Sequence, residues 1–442
     1  MAVLGLEIGA VTLDKTLPLS ISSIPFSGIA PSALEKKLSA LQDKIHDEKI
    51  SLRVDGVQDT AFETTRKDCG LTVDVASLRD EILSLGKTGN PLKDFPAWIA
   101  SFSGTLSLSA PYALDEKKLE ATVANIKKTI DRDAKDARVD FSAKTILPDA
   151  KGIKLDAKKS MELLKTRLPE FAGAIFLHAE VKKPRVAVED INDLVIANTV
   201  AFFETPYNAG VSNRVSNLKL AAQKLDGIIM KPGDVISYNE IVGDRNEENG
   251  FKLAPQIVRG ELVPGIGGGA CQISSTLHAA AFYAGMSAPT RSNHSLTSHY
   301  IGMGLDATVF YPFLDLKLKN TLPFTVAIHT IVGANGSKVR MEIRGKEKLY
   351  EISLKRSIIG VYPARVETRK DASLPAGKVV REKKGSTGYK VSRVRVFKQG
   401  GKVWEEKLPD DFYPPQKEVR RVGTAVAKKP VPAAATTVST GQ

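Results

Sequence analysis

The chain has 442 residues, 42% of them hydrophobic and 26% charged, enough to bury real cores and to form several domains. Its net charge of +13 favours anionic partners such as wall polymers or lipid, but the lysines are scattered over helical patterns, and the absence of helix-turn-helix or zinc-finger spacing argues against nucleic acid. With only two cysteines, Cys69 and Cys271, a disulfide framework is excluded.

Residues 1–18 read as an N-terminal lead-in without a basic leader or a signal-length apolar run. Two similar α+β segments follow, over 19–105 and 106–191, with a period of about 82 residues. Leu34-Glu35-Lys36-Lys37-Leu38 opens a helical pattern in the first, and Glu116-Lys117-Lys118-Leu119 opens one in the second. Gly70-Leu71-Thr72-Val73-Asp74 answers Gly152-Ile153-Lys154-Leu155-Asp156, and each leads into a further helix, Leu78 to Leu85 and Met161 to Leu168. Phe95-Pro96-Ala97-Trp98 reads as linker packing, and Cys69 as a packing residue beside a short strand.

The most informative stretch is Gly267-Gly268-Gly269-Ala270-Cys271-Gln272. Glycines allow a tight turn and close approach to a ligand. The free amides and dipole of a helix start favour a thiolate, the form of cysteine that attacks a carbonyl. Ile273, Leu277, Ala280, Ala281 and Ala284 form one apolar stripe ending at Gly285, with Cys271, Ser274, Ser275 and His278 on another, more polar face. His278 lies seven residues on, about 10 Å along the helix axis and too far to bond the sulfur. A polar, glycine-punctuated segment downstream carries His294, His299 and Asp306, which with Cys271 make a Cys/His/acid set. A structural cysteine behind a glycine turn stays open as the other reading. A zinc site from Cys271, His294, His299 and Asp306 has suitable donor types, but their spacing matches no compact zinc motif.

From 351 to 424 the pattern is β-rich. Val391, Arg393, Arg395 and Phe397 alternate with Ser392, Val394 and Val396, Gly400-Gly401 makes a turn, and Val403-Trp404-Glu405 resumes. Residues 425–442, rich in Ala, Pro, Thr and Val, read as a disordered tail or tether.

Arg214-x-x-Asn217, Lys231-Pro232-Gly233-Asp234-Val235-Ile236-Ser237-Tyr238-Asn239, the Gly-Gly-Gly-x-Cys-Gln run, His294-Ser295 and Gly304-x-Asp306-Ala307 occur in an order that resembles the VanW domain, placed here over 192–350. The repeats ahead of it resemble peptidoglycan-binding repeats, and the module after it resembles glycine-containing β-modules of wall-associated enzymes that are thought to bind amino-sugar polymers. His278 and His299 depart from the family's pattern, which leaves the choice of base open.

The resemblance implies a multidomain α+β protein acting on peptidoglycan as a cysteine L,D-transpeptidase-like acyl transferase. Cys271 is its nucleophile, His294 the preferred base and Asp306 the orienter. Gly268, Gly269 and Gln272 form the oxyanion turn. Arg214, Asn217, Asn239, Ser274 and His299 line the substrate site, although Arg214 also suits a structural salt bridge and Asn239 a turn. The partners are stem peptides and glycan, with no cofactor, no metal and no nucleic acid. Such chains usually begin with a signal or anchor, so an upstream leader and an extracytoplasmic, cell-envelope location are expected. A non-catalytic peptidoglycan-binding scaffold, with Cys271 structural, is the alternative.

Overall fold

A computed structural model describes residues 12–14, 20–22, 31–57, 60–84, 87–103, 107–170, 173–258, 261–334 and 336–425. The expected lead-in, apart from 12–14, and all of the expected tail beyond Ala425 lie outside these residues. The chain divides into two compact units, one of residues 1–136 and 150–185, the other of 137–149 and 186–442. The fold is α+β and multidomain, with helices packed on several small sheets.

In the first unit, helices Pro31–His46 and Glu116–Ile130 begin close to the two charged openings. The paired Gly-to-Asp runs have a structural cause. In each, a strand ends at an aspartate whose carboxylate accepts a backbone amide of the next helix, Asp74 from Ser77 at 3.0 Å and Asp156 from Lys159 at 3.1 Å. Gly70 has φ +96°, and a Cβ there would lie 2.7 Å from the Asp115 carbonyl.

The two similar segments interlock. Strand Lys49–Val54 pairs antiparallel with Ala61–Thr65 and in parallel with Ala174–Leu177. Ile50 and Leu52 therefore share a core with Leu119, Val123, Ile126, Leu155 and Leu164. Cys69 is buried in that core, and burial pushes its thiol pKa up. The stretch expected as linker, Phe95 to Trp98, lies inside a helix, Pro91–Ser103, with Phe95 61% exposed.

The second unit centres on an antiparallel sheet in the order Thr199–Pro206, Lys338–Gly345, Val326–Ala334, Ile229–Met230. Helices Ser212–Leu225 and Ala270–Ala284 pack on it, burying Leu218, Leu225, Ile273 and Leu277 against Ile328, Met341 and Ile343. Hairpin Leu253–Val258/Glu261–Ile266 leads into the glycine run.

C-terminal to this core, Glu351–Tyr362, Gly388–Gln399 and Lys402–Tyr413 form one sheet, and Val366–Pro375, Glu418–Ala425 and Val379–Lys383 a second. On strand Gly388–Gln399 the buried positions are Val391, Arg393, Arg395 and Phe397. Two arginines thus face inward. Arg395 donates to the Met286 carbonyl at 2.6 Å and to Phe282 O at 3.3 Å, at the C-terminal end of helix Ala270–Ala284, and pairs with Glu406 at 2.6 Å. Its charge complements the negative end of that helix. Arg393 donates to Gly304 O at 3.0 Å and pairs with Asp411 at 3.3 Å. No helix among the described residues is long and apolar enough to cross a membrane.

Candidate active site

Each glycine before the cysteine has a local cause. Gly267 and Gly269 have φ of +84° and +116°, where side chains with a Cβ are strained. A Cβ on Gly268 would lie 2.6 Å from Pro255 O and 2.7 Å from Ala254 O, so the hairpin backbone presses directly on it. The helix starts at Ala270, with Cys271 in its first turn. The Ala270 amide donates to Gly267 O at 3.1 Å and the Gln272 amide to Gly269 O at 2.9 Å. Among the described residues, no backbone acceptor takes the amides of Gly268, Gly269 and Cys271. The donors left at the positive end of the helix are therefore those three amides, and Gln272 is a scaffold residue rather than an oxyanion donor.

Cys271 is half-buried, and its thiol donates to Val309 O at 3.4 Å. His294 and Asp306 converge on it from the downstream loop. Asp306 Oδ2 accepts His294 Nδ1–H at 2.8 Å and the His294 backbone amide at 2.7 Å, fixing the ring at two points. His294 Nε2 is thereby left for the sulfur, with the Tyr300 hydroxyl 3.4 Å away. Burial works to raise the Cys271 pKa. The hydrogen bond and charge of His294, a backbone hydrogen bond at Val309 and the charge of Arg245 outweigh it, and the thiol ends below its ordinary value. For His294, burial works downward, but Asp306 and Cys271 raise the imidazole to about 9. Burial likewise opposes ionisation of Asp306, yet His294 and Arg291 hold it well below the usual carboxylate range. The shifts of all three groups run toward thiolate, imidazolium and carboxylate.

The remaining candidates divide between site and scaffold. Arg214 stands at the turn that carries Cys271. It lies beside Gly269 and donates to Gln272 Oε1 at 2.7 Å, and Gln272 is in turn held through its Nε2 by Thr205 and Pro206 at 3.0 and 2.8 Å. Asn217 is fully buried and clamps the chain, donating to Lys252 O at 2.8 Å and Gly268 O at 3.0 Å. Ser274 is fully buried too, its hydroxyl donating to Ala307 O at 2.7 Å. Both are scaffold rather than substrate contacts, because neither reaches solvent and their polar groups are already bonded. Asn239 donates to Leu314 O at 2.9 Å and accepts from Arg245 at 2.8 Å.

His299 is exposed, its ring edge-on to Tyr300. Buried His278 donates from Nδ1 to Leu305 O at 2.7 Å, and burial lowers its pKa to about 3, so it stays neutral. The polar face of the helix is thus covered by segment 305–309, whose backbone accepts from Ser274 and His278. Among the described residues, no group of three or more His, Cys, Asp or Glu side chains is placed to hold a metal ion.

Four supporting residues carry no local signal in the sequence. Tyr413 donates its hydroxyl to Asp306 Oδ1 at 2.6 Å and accepts the Gly304 amide at 2.9 Å. Arg291 makes a bidentate pair with Asp411 at 2.7 and 2.9 Å and donates from Nε to Asp306 O at 2.6 Å. Arg245 packs against Gly267 and lies over the Tyr238 and Tyr311 rings, 5.7 and 5.9 Å from their centroids. The residues they hold, Gly267, Tyr238, Gly304 and Asp306, belong to recognisable motifs, whereas Tyr413, Arg291 and Arg245 do not.

Comparison with known proteins places three families along the chain. Residues 213–344 match the family described as VanW like protein, residues 62–172 "Putative peptidoglycan binding domain", and residues 358–425 the G5 domain. An uncharacterized protein of Bacillus subtilis, YoaR, is 38% identical over 118 residues, 27% of this chain and 39% of the relative. The vancomycin B-type resistance protein VanW of Enterococcus faecalis is 33% identical over 122 residues, 26% of this chain and 44% of the relative. The chain thus spans less than half the length of either relative. A solved IgA1 protease G5 domain is 22% identical, covering 18% of this chain and 99% of that one, with a TM-score of 0.14.

Proposed function

Because the second unit carries a VanW-like domain, preceded by a peptidoglycan-binding match and followed by a G5 match, we propose that this protein works on cell-wall peptidoglycan as a cysteine-dependent acyl transferase. The observation that carries the reading is the line Cys271–His294–Asp306 at the start of a buried helix, with three free amides beside the sulfur. The first unit and the C-terminal β-module hold wall polymer, and the work is done in the cell envelope, outside the cytoplasm.

In this mechanism the Cys271 thiolate attacks the carbonyl carbon of the third residue of a donor stem peptide. A C–S bond forms and the carbonyl oxygen becomes an oxyanion, received by the amides of Gly268, Gly269 and Cys271. The C–N bond to the terminal D-alanine then breaks, and the His294 imidazolium gives its proton to the departing amine. An amine of a neighbouring stem attacks the thioester. Its proton passes to His294, the C–S bond breaks, a new amide forms and the thiolate returns. Asp306 keeps the imidazole oriented throughout and stabilises its charged form whenever it holds the proton.

The test is Cys271→Ser followed by mass spectrometry of the muropeptides. The hydroxyl is a far weaker nucleophile at neutral pH, so crosslinks of this type should disappear while binding to sacculi persists. Unchanged crosslinking would remove the catalytic reading and leave a binding-only scaffold.

A further inference from the structure

The surroundings of Cys271 are short of negative charge. The other buried arginines of this unit have acidic partners: Arg291 and Arg393 pair with Asp411, and Arg395 with Glu406. Two arginines at the nucleophile have no acidic partner among the described residues. Arg214 donates to the amide oxygen of Gln272, and Arg245 donates from Nη1 to Asn239 Oδ1 at 2.8 Å and to Gly243 O at 3.0 Å, all neutral acceptors. Arg245 Nη2 is buried with no hydrogen-bond partner. A buried cationic donor without an acceptor is costly and calls for an explanation.

Their placement supplies one. The glycine run is packed between the two side chains. A Cβ on Gly267 would lie 2.6 Å from Arg245 Cβ, and one on Gly269 would lie 3.2 Å from Arg214 Nη1. The Arg214 guanidinium and the Arg245 stem therefore flank the turn that delivers Cys271, and the Arg245 charge is felt at the sulfur. The one carboxylate at the sulfur, Asp306, is already engaged by His294, Arg291 and Tyr413. The anion the two arginines feel there is the Cys271 sulfur itself, and a substrate carboxylate supplies a further counter-charge.

We propose that Arg245 and Arg214 form a docking site for a substrate carboxylate beside the bond that Cys271 attacks. The protein then selects donor peptides with a free terminal carboxylate and discriminates against amidated ones. Arg214 brings a planar fork suited to a carboxylate, and Arg245 an unused donor already out of water. The inference rests on the acyl-transfer reading for its substrate, but the anion site can be tested without that reaction.

The probes are iodoacetate and iodoacetamide, two alkylating agents of similar size that differ in charge. Alkylation of the full chain is followed on the Cys271 peptide by mass spectrometry, at a pH where the thiolate is saturated for each variant. The expected result is that iodoacetate reacts faster than iodoacetamide, saturates with concentration, and loses its advantage in high salt. Arg245→Gln should cut the iodoacetate-to-iodoacetamide ratio about tenfold, the size of one charge-assisted hydrogen bond. Arg245→Lys should keep most of it, and Arg214→Gln should lower it as well. A ratio that stays within about twofold of the parent in both glutamine variants overturns the proposal. If Arg245→Gln does not fold, as judged by loss of the second unit's thermal unfolding transition, Arg245→Lys and Arg214→Gln carry the comparison. A clear anion preference in a protein that forms no crosslinks would sustain the carboxylate site and refute the transfer reading. Crosslinking with no anion preference would do the reverse.

Discussion

Tyr413→Phe removes one oxygen and tests whether the C-terminal module is part of the active site. That hydroxyl donates to Asp306 Oδ1 at 2.6 Å and accepts the Gly304 amide at 2.9 Å, both in buried surroundings. A hydrogen bond to a charged group contributes about 1.5–3 kcal/mol, and leaving a buried amide without an acceptor costs about 1–3 kcal/mol. The two losses share one atom and are not additive, so about 3 kcal/mol is a fair expectation. In a domain of this size each kcal/mol lowers Tm by about 2–4 °C, so calorimetry should place the unfolding of the second unit about 6–12 °C lower. A purely structural tyrosine would do no more than that. A tyrosine that positions Asp306 should also loosen its hold on His294, whose pKa then falls from about 9, and the Cys271 thiol should rise. The pH midpoint of iodoacetamide labelling at Cys271 therefore moves upward in the variant. A variant with unchanged Tm and an unchanged labelling profile would refute the argument that the module supports the site.

The Cys271 thiol lies below its ordinary value, so its alkylation rate should hold as pH falls from about 8.5 toward neutrality and drop only at the lower folded-state pKa. Asp306→Asn removes the charge that helps hold His294 at about 9, so the labelling midpoint should climb toward that of a free thiol; an unmoved midpoint would mean the helix start alone sets the thiolate. Gly268→Ala forces a Cβ to within 2.6 Å of Pro255 O. It should cost on the order of 3 kcal/mol, read by thermal unfolding, and erase the preference of labelling reagents for Cys271 over Cys69.

What the sequence reveals here is what local chemistry can write. Three glycines, a helical pattern and a cysteine stand next to one another, and the His294–Asp306 spacing falls inside one loop. In the structure His294 and Asp306 meet at 2.8 Å. Ser274 and Asn217 look equally functional in a sequence because polarity does not tell which acceptor a group will meet. Here the Ala307 and Gly268 carbonyls take both. The support from the β-module is illegible for a different reason. Tyr413 stands 107 residues from Asp306, and nothing local marks the tyrosine. Arg393 and Arg395 occupy alternating positions of a strand, where charge ordinarily signals the solvent face. They point inward because the helix end at Phe282 and the turn at Gly304 offer carbonyls that only distant residues can reach. The interlocked first unit escapes a reading by repeats because the parallel pairing of Lys49–Val54 with Ala174–Leu177 joins segments that similarity alone sets side by side.

The division of the chain also orders its synthesis. The polypeptide passes between its two units three times, after residues 136, 149 and 185. Segment 137–149 leaves the ribosome ahead of everything else in its own unit, yet Ala137 donates its amide to Val186 O and Arg138 bridges to Ile228. Those partners are made only after 150–185, which completes the first unit. The amino-terminal unit can therefore close while a loop of foreign strand waits outside it, and the second unit begins its assembly around a piece already delivered. For the same topological reason one proteolytic nick at any of the three crossings leaves two covalent ties between the units, so severing them takes three separate cuts.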